Sequence, residues 1–219
     1  MKTVFERFLS LLFPLSLIAL LSVFAVRRFC LFDWQGNDYL RYSDAAVSVL
    51  YLSWLIFETR ISLKDMKSDV KHSDKGTREL YAVSQGAVVL SAIFMERAVI
   101  SSIMMLSGLA VFVGGGILRI SAVMHLGKFY SHFVKSGSDH RIVSSGPYNY
   151  IRHPAYAGML AAHAGITLYF FNYYTLAIYI CLLIPAIILR ISVEEKLLFS
   201  VRGYTDYAVY RKRLIPFIW

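Results

Sequence analysis

The chain has 219 residues, of which 57% are hydrophobic and only 17% are charged, and its mean hydropathy is +0.54. These values exclude an ordinary soluble domain and predict an all-α integral membrane protein. The net charge of +9 does not predict a nucleic-acid partner, because the basic residues lie between apolar runs and anionic membrane lipids are the simpler partner. The two cysteines, Cys30 and Cys181, predict no disulfide framework.

Six apolar runs predict a bundle of transmembrane helices, with five helices as the alternative. The runs lie at about Phe8–Val26, Asp44–Phe57, Leu80–Met95, Ala98–Leu118, Ala155–Phe171 and Tyr173–Leu189. A helix that crosses the hydrocarbon needs about 20 residues, so the shorter runs must be tilted, interfacial or extended by their polar flanks. Arg27 and Arg28 follow the first run where a signal peptide would have small residues, which favours a retained span.

The basic residues predict the orientation of this bundle. If both termini face the cytoplasm, all 23 Lys and Arg residues lie on that side except Arg27, Arg28, Arg41 and Arg97. Such an asymmetry fits the positive-inside rule. The polar segments 119–154 and 190–219 are therefore expected on the same, cytoplasmic side.

A tight turn at residues 171–173 separates the last two apolar runs and predicts an antiparallel helical hairpin. The base of this hairpin brings residues 152–154 close to Arg190 and to the acidic pair 194–195. Isolated charges at helix ends often serve only as interfacial anchors, but convergence of several charges favours a functional site.

The C-terminal segment shows a second pattern. Tyr204, Tyr207 and Tyr210 recur at a spacing of three beside the basic residues 211–213. This pattern predicts an amphipathic helix that lies at the membrane interface.

The histidines do not predict a metal site. The five that lie from position 125 onward are at least seven residues apart, whereas metal sites in membrane oxidases use compact clusters. The run Gly114–Gly116 does not fit the dinucleotide pattern Gly-x-Gly-x-x-Gly and lies within an apolar run. Close packing of helices through small residues is the role expected for it.

About the last hundred residues carry a combined pattern that resembles the isoprenylcysteine carboxyl methyltransferase family. The pattern consists of Gly146-x-Tyr148-x-x-x-Arg152-His153-Pro154-x-Tyr156-x-Gly158, Glu194-Glu195-x-x-Leu198, Tyr204-x-x-Tyr207 and Ile215-Pro216-Phe217. The resemblance begins near Gly116, where GILRISAV is similar to the family's Gly-x-x-Leu-Arg stretch. Residues 1–115 resemble the family only in being apolar.

The resemblance implies a membrane enzyme that uses S-adenosylmethionine, bound in a cytosolic-side pocket that C-terminal interfacial helices cover. One compact domain is expected, with N-terminal spans in residues 1–118 and the catalytic region in 119–219. The implied cofactor-binding residues are Lys135, His140, Arg141, Ile142, Val143, Tyr148, His153, Pro154, Ala155, Tyr156 and Glu194. Glu194 would face the methionyl end, Arg190 would meet the substrate carboxylate, and Arg119 would be a second arginine near the reaction centre.

The implied reaction is methyl transfer to the carboxylate of a lipophilic acceptor such as a C-terminal isoprenylcysteine. This reaction needs no general base, because a C-terminal carboxyl group is already ionised at neutral pH. A phospholipid or another small lipophilic acceptor is the alternative, although an amine acceptor would need a base, and two arginines disfavour one. An NADPH-dependent membrane reductase is less favoured, because Met159 stands where such enzymes place an acid. The membrane would be the bacterial inner membrane or the endoplasmic reticulum, with the active site facing the cytoplasm.

Overall fold

The structure is a computed structural model that describes residues 18–19, 22, 38–66, 76–127, 142–216 and 218–219. The chain divides into two compact units, Met1–Asp69 and Val70–Trp219. The described residues form helices and contain no β-strand, which confirms the all-α class for this part of the chain. Most of the predicted first span, Phe8–Val26, lies outside the described residues.

In the first unit, helix α1 comprises Asp38–Met66. It extends the predicted run Asp44–Phe57 at both ends. Hydroxyl groups along α1 bond to carbonyl groups one turn earlier, as between Thr59 Oγ1 and the Leu55 oxygen at 2.7 Å. Because these hydroxyls are satisfied within the helix, α1 carries them without exposing an unpaired polar group.

The second unit contains the remaining described helices. They are α2 (Thr77–Phe94), α3 (Ser102–Leu126), a 3₁₀ turn (Gly146–Asn149), α4 (Pro154–Tyr169), α5 (Tyr173–Leu198) and α6 (Tyr204–Val209). By length and composition, α3 and α5 can each cross a membrane. The predicted total of five or six spans stays a prediction.

The ends of these helices follow from local sequence. Ser101 caps α3 by accepting a hydrogen bond from the Met104 nitrogen at 3.3 Å, and Asn172 caps α5 by accepting one from the Thr175 nitrogen at 2.8 Å. Pro154 occupies the first position of α4, where its missing N–H is not needed. The turn between α4 and α5 lies where the sequence predicts the hairpin.

Helix α5 contains one wider turn, Tyr179–Leu183, in which the hydrogen bonds span five residues instead of four. Pro185 follows this turn. It has no backbone N–H to donate, and in a regular α-helix its ring would clash with the carbonyl group of Cys181, four residues earlier. The wider turn therefore allows α5 to continue past the proline.

Helices α3 and α4 pack with their backbones in contact, and glycine makes this possible. A Cβ atom added at Gly158 would lie 2.6 Å from the Arg119 nitrogen, and one at Gly108 would lie 2.7 Å from the Tyr169 nitrogen. Gly115 and Gly165 face equally close backbone atoms of the other helix. Gly108 and Gly115 recur seven residues apart, as Gly158 and Gly165 do, so each pair lies on one helix face.

The predicted packing role of the run Gly114–Gly116 is confirmed for its middle residue. Cβ atoms added at Gly114 or Gly116 would meet no atom within 4 Å. The close approach at Gly115 places Arg119, one turn later on α3, beside the beginning of α4.

Candidate active site

The chain segment that enters α4 pairs with the C-terminal segment. The Arg152 nitrogen donates to the Lys212 oxygen at 2.8 Å, and the His153 nitrogen donates to the Arg213 oxygen at 2.9 Å. The predicted C-terminal amphipathic helix is therefore shorter than its tyrosine spacing indicates. It ends with α6 at Val209, because the following residues leave the helix to make this pairing.

Glu195 is the buried carboxylate around which these segments assemble, with a relative exposure of 2%. Its Oε1 lies 3.0 Å from Arg152 Nη1 and 3.2 Å from His153 Nε2. Its Oε2 accepts from Nε and Nη2 of Arg213, both at 2.8 Å. A buried carboxylate is stable only when it is paired, so these basic partners allow Glu195 to remain inside.

Glu195 is the main residue of this site whose role was not predicted from the sequence. It stands beside Glu194 in the acidic pair, but adjacent residues of a helix point in different directions. Glu195 holds the C-terminal segment against the beginning of α4, whereas Glu194 faces Tyr156.

Arg190 and Glu194 meet at the Tyr156 hydroxyl group. This hydroxyl donates to Glu194 Oε2 at 2.8 Å and accepts from Arg190 Nε at 3.3 Å. Arg190 is buried, whereas Tyr156 and Glu194 are partly buried. The Tyr81 ring packs edge-on against the Tyr156 ring, with centroids 5.9 Å apart. Three of the predicted site residues, Tyr156, Arg190 and Glu194, therefore lie together.

Arg119 and Tyr148 extend this cluster toward α3. Arg119 has a relative exposure of 1%, and Tyr148 is buried against Ala122 and Ala155. Burial raises the pKa of the Tyr148 phenol, Glu194 raises it further, and Arg119 opposes them. The charges of Arg119 and Glu194 therefore act in opposite directions on the pKa of this phenol.

Among the remaining predicted residues, the side chain of His153 is directed to Glu195 and its ring lies 5.9 Å from the Tyr156 ring. Pro154 and Ala155 are buried in the first turn of α4.

The other predicted cofactor residues belong to the segment that precedes the 3₁₀ turn. Val143 packs on the cluster around Tyr148. Ile142 lies near Gly203, where an added Cβ would be 3.5 Å from its Cδ1. Lys135, His140 and Arg141 lie outside the described residues.

Two tyrosines of α6 are buried, and Tyr207 contacts the segment that leads into α4. The Tyr207 hydroxyl donates to the Tyr148 oxygen at 2.7 Å, and burial raises the pKa of Tyr207 to about 12. Tyr204 is 4% exposed, and its hydroxyl group has no hydrogen-bond partner among the described residues. Burial, followed by the charge of Glu195, raises the pKa of Tyr204. Both phenols therefore remain protonated donors at neutral pH.

The donor and acceptor groups of this cluster fit S-adenosylmethionine, the cofactor that the resemblance implies. An ammonium group requires an acid, which Glu194 can provide. A carboxylate requires donors, and in this cluster the Tyr204 hydroxyl and Arg152 Nε are buried and have no hydrogen-bond partner among the described residues. An adenosyl group requires apolar and aromatic surfaces, which Val143 and Tyr148 provide.

Comparison with known proteins adds independent evidence. The family model "Isoprenylcysteine carboxyl methyltransferase (ICMT) family" matches residues 108–200. Protein-S-isoprenylcysteine O-methyltransferase of Schizosaccharomyces pombe is 34% identical over 124 residues, which cover 54% of this chain and 52% of that protein. The protein of the same name from Tribolium castaneum is 34% identical over 123 residues, which cover 51% of this chain and 41% of its own length.

A solved structure of the eukaryotic intramembrane Ras methyltransferase ICMT matches a larger part of the chain than the sequence relatives do. The TM-score is 0.58 at 21% sequence identity, and the alignment covers 94% of this chain and 75% of that one. This likeness shows a shared fold.

The sequence matches span about half of the length of the Schizosaccharomyces pombe protein and less of the Tribolium castaneum protein. The family match contains Arg119, Tyr156, Arg190 and Glu194. Residues 108–200 of this chain thus match the isoprenylcysteine carboxyl methyltransferase family, which confirms the resemblance that the motifs predict.

Proposed function

We propose that the protein transfers a methyl group from S-adenosylmethionine to the carboxylate of a lipophilic acceptor, such as a C-terminal isoprenylcysteine. The observation that carries this proposal is the buried Arg190 joined to Glu194 through the Tyr156 hydroxyl, inside the segment that matches the family. The names of the relatives, which are protein-S-isoprenylcysteine O-methyltransferases, support the choice of acceptor.

The cofactor supplies, when bound, an electrophilic methyl group on a sulfonium cation. Glu194 would hold the methionyl ammonium group, and the unpartnered donors of Tyr204 and Arg152 would hold the methionyl carboxylate. Tyr148 and Val143 would line the adenosyl part, together with the further predicted contacts Ile142, His153, Pro154 and Ala155. In this arrangement Glu194 would bind the cofactor, and a different residue, Arg190, would bind the acceptor.

Arg190 would receive the acceptor carboxylate. A guanidinium group presents a planar fork of N–H donors that matches a carboxylate and fixes its orientation. Because the acceptor is already ionised at neutral pH, the site has no proton to remove and its main task is alignment. Arg119, also buried, would add a second positive charge near the reacting oxygen.

Loss of the negative charge of the acceptor on methylation would help product release. A methyl ester is neutral, so it no longer attracts the guanidinium groups that hold the carboxylate of the acceptor. Glu195 and its basic partners would hold the C-terminal segment against the beginning of α4 and keep water from the site.

The membrane setting is part of the proposal. With α3 and α5 as spans, the charged cluster lies at the cytoplasmic end that the positive-inside rule predicts. A lipophilic acceptor would then partition into the bilayer while its carboxylate remains at the boundary with water.

Calorimetric titration of the detergent-purified chain with S-adenosylhomocysteine, and separately with NADPH, tests the cofactor. We expect binding of S-adenosylhomocysteine only, and binding of NADPH alone would replace the proposal with a reductase. Transfer of a radiolabelled methyl group to farnesylcysteine tests the acceptor. Transfer to phospholipids but not to farnesylcysteine would overturn the carboxylate acceptor and retain the methyltransferase class.

A further inference from the structure

Helix α2 contributes to the site although it lies outside the segment that matches the family. Its first residue, Thr77, accepts a hydrogen bond through Oγ1 from Arg190 Nη1 at 3.1 Å. The family match begins only at residue 108. The N-terminal half of the chain therefore reaches the arginine that the proposed function assigns to the acceptor.

Two hydroxyl contacts fix α2 against α5. Near the end of α2, Ser91 Oγ accepts from Thr175 Oγ1 at 3.0 Å, and both side chains are buried. At the beginning of α2, Thr77 contacts Arg190. The helices are antiparallel, and these contacts are separated by about 20 Å along the axis at 1.5 Å per residue. The two contacts therefore join opposite ends of α2 to α5.

The contacts of Arg190 fix the direction of its guanidinium group. Nε donates to the Tyr156 hydroxyl at 3.3 Å, and Nη1 donates to Thr77 Oγ1 at 3.1 Å. Because the guanidinium group is planar and rigid, hydrogen bonds from two of its nitrogens define the orientation of the plane. These two partners are neutral hydroxyl groups on different helices, and each contacts a different nitrogen of the guanidinium group.

Tyr81, one turn after Thr77, strengthens the same arrangement. Its ring packs edge-on against the Tyr156 ring, at an interplanar angle of 87°. The beginning of α2 thus contacts Arg190 directly through Thr77, and through Tyr81 it contacts Tyr156, the other hydroxyl partner of Arg190. A displacement of this part of α2 would disturb both contacts.

We propose that Thr77 is a positioning residue for the acceptor carboxylate and acts through Arg190. Its hydroxyl group holds the guanidinium plane in the orientation that receives the carboxylate. This inference rests on the proposed function, because it takes the carboxylate as the ligand of Arg190. It also assigns part of the acceptor site to the half of the chain that the family match does not cover.

The test measures ligand binding in the full-length, detergent-purified chain. Thr77→Val keeps the shape of the side chain and removes the hydroxyl, whereas Thr77→Ser keeps the hydroxyl. Thr175→Val is the matched control, because it removes the α2–α5 hydroxyl contact at the far end of the helices. The ligands are farnesylcysteine, its methyl ester and S-adenosylhomocysteine.

We expect Thr77→Val to weaken the binding of farnesylcysteine about tenfold, since a hydrogen bond to a charged group is lost. Binding of the methyl ester and of S-adenosylhomocysteine should remain within about twofold, because neither depends on the orientation of a carboxylate fork. Thr77→Ser should restore farnesylcysteine binding, and Thr175→Val should leave all three affinities unchanged. In turnover, the loss should appear as a higher KM for the acceptor.

Unchanged farnesylcysteine affinity in Thr77→Val would overturn the inference. Equal losses in Thr77→Val and Thr175→Val, or equal losses for the acid and its methyl ester, would overturn it in favour of general helix packing. A wild-type chain that neither binds nor methylates farnesylcysteine would refute the proposed acceptor, and the inference with it. An active wild type with an unaffected Thr77→Val variant refutes the inference alone.

Discussion

Arg190 and Glu194 lie one turn apart on α5 and share one phenol. The Tyr156 hydroxyl accepts from Arg190 Nε at 3.3 Å and donates to Glu194 Oε2 at 2.8 Å. A direct pair between the arginine and the acid would neutralise both, whereas a bridging hydroxyl keeps them apart. The Tyr156 hydroxyl therefore links the position of the arginine proposed for the acceptor to that of the acid proposed for the cofactor.

Arg190→Ala should lower kcat/KM for farnesylcysteine about 100-fold or more, because the acceptor carboxylate loses a desolvated cationic partner. The affinity for S-adenosylhomocysteine should change less than about threefold. Arg190→Lys should recover only part of the loss, since an ammonium group lacks the planar fork. Radiolabelled methyl transfer and titration measure the two quantities. Near-normal turnover in the alanine variant would remove Arg190 from the acceptor site.

Glu194→Gln should weaken S-adenosylhomocysteine binding about tenfold or more, because the methionyl ammonium group loses its countercharge. The amide oxygen of glutamine can still accept the hydrogen bond from Tyr156. Asp206→Asn is the control, since it removes an exposed acidic charge on α6. Titration calorimetry distinguishes the variants. Equal affinities in the Glu194 and Asp206 variants would contradict the assigned role of Glu194.

Tyr204→Phe should leave the thermal midpoint of the ligand-free protein unchanged or raise it. A buried hydroxyl group without a partner costs about 1 to 3 kcal/mol, and phenylalanine removes this cost while retaining the packing against Phe199 and Tyr207. The affinity for S-adenosylhomocysteine should fall about tenfold. Differential scanning fluorimetry without ligand, followed by titration, checks both. A lower midpoint with unchanged affinity would show that the hydroxyl serves the fold instead.

Glu195→Ala should destabilise the protein by about 3 to 5 kcal/mol, because it leaves buried basic groups without their carboxylate. Arg152 and His153 would lose this partner at the entry to α4, and so would Arg213 in the C-terminal segment. Glu194→Ala is the matched control and should cost much less, because Glu194 is only partly buried. Denaturation monitored by circular dichroism compares the two. Equal stabilities would exclude Glu195 as the centre of this assembly.

Gly115→Ala should destabilise the pair α3–α4, since the added methyl group meets the backbone of Ala162 and Gly158. Gly114→Ala adds the same methyl group where no atom lies within 4 Å. The second variant should be neutral or stabilised by up to about 1 kcal/mol, because alanine favours the helix over glycine. Thermal midpoints measure both effects. A neutral Gly115→Ala variant would show that the helices separate without cost.

Several features of the site follow from local sequence. The turn at residues 171–173 and the proline at the start of α4 act on the backbone nearby, so they predict where the hairpin begins and ends. The motifs from Gly146 to Gly158 and around Glu194 indicate the family, and the family match confirms this. The antiparallel hairpin also predicts that residues 152–154 lie near Arg190 and the acidic pair 194–195.

Other features depend on contacts between distant segments. The choice of Gly115 over its glycine neighbours depends on which face of α3 meets α4, and identical residues cannot specify a face. The short α6 depends on the pairing of residues 211–213 with the entry to α4, which competes with continuation of the helix. Glu195 acquires its role from Arg152 and Arg213, and Thr77 acquires its role from Arg190, more than 100 positions later in the chain.

The sequence by itself indicated an all-α protein with apolar helices, the hairpin and the resemblance of the last hundred residues to the family, because apolar runs, turn residues and motifs act over short distances along the chain. The tertiary structure decided which acid is buried, which glycine allows the helices to touch and which hydroxyl orients Arg190. Hydrogen bonds and close packing depend on distances of a few ångströms between side chains, and those distances exist only once the helices have packed together.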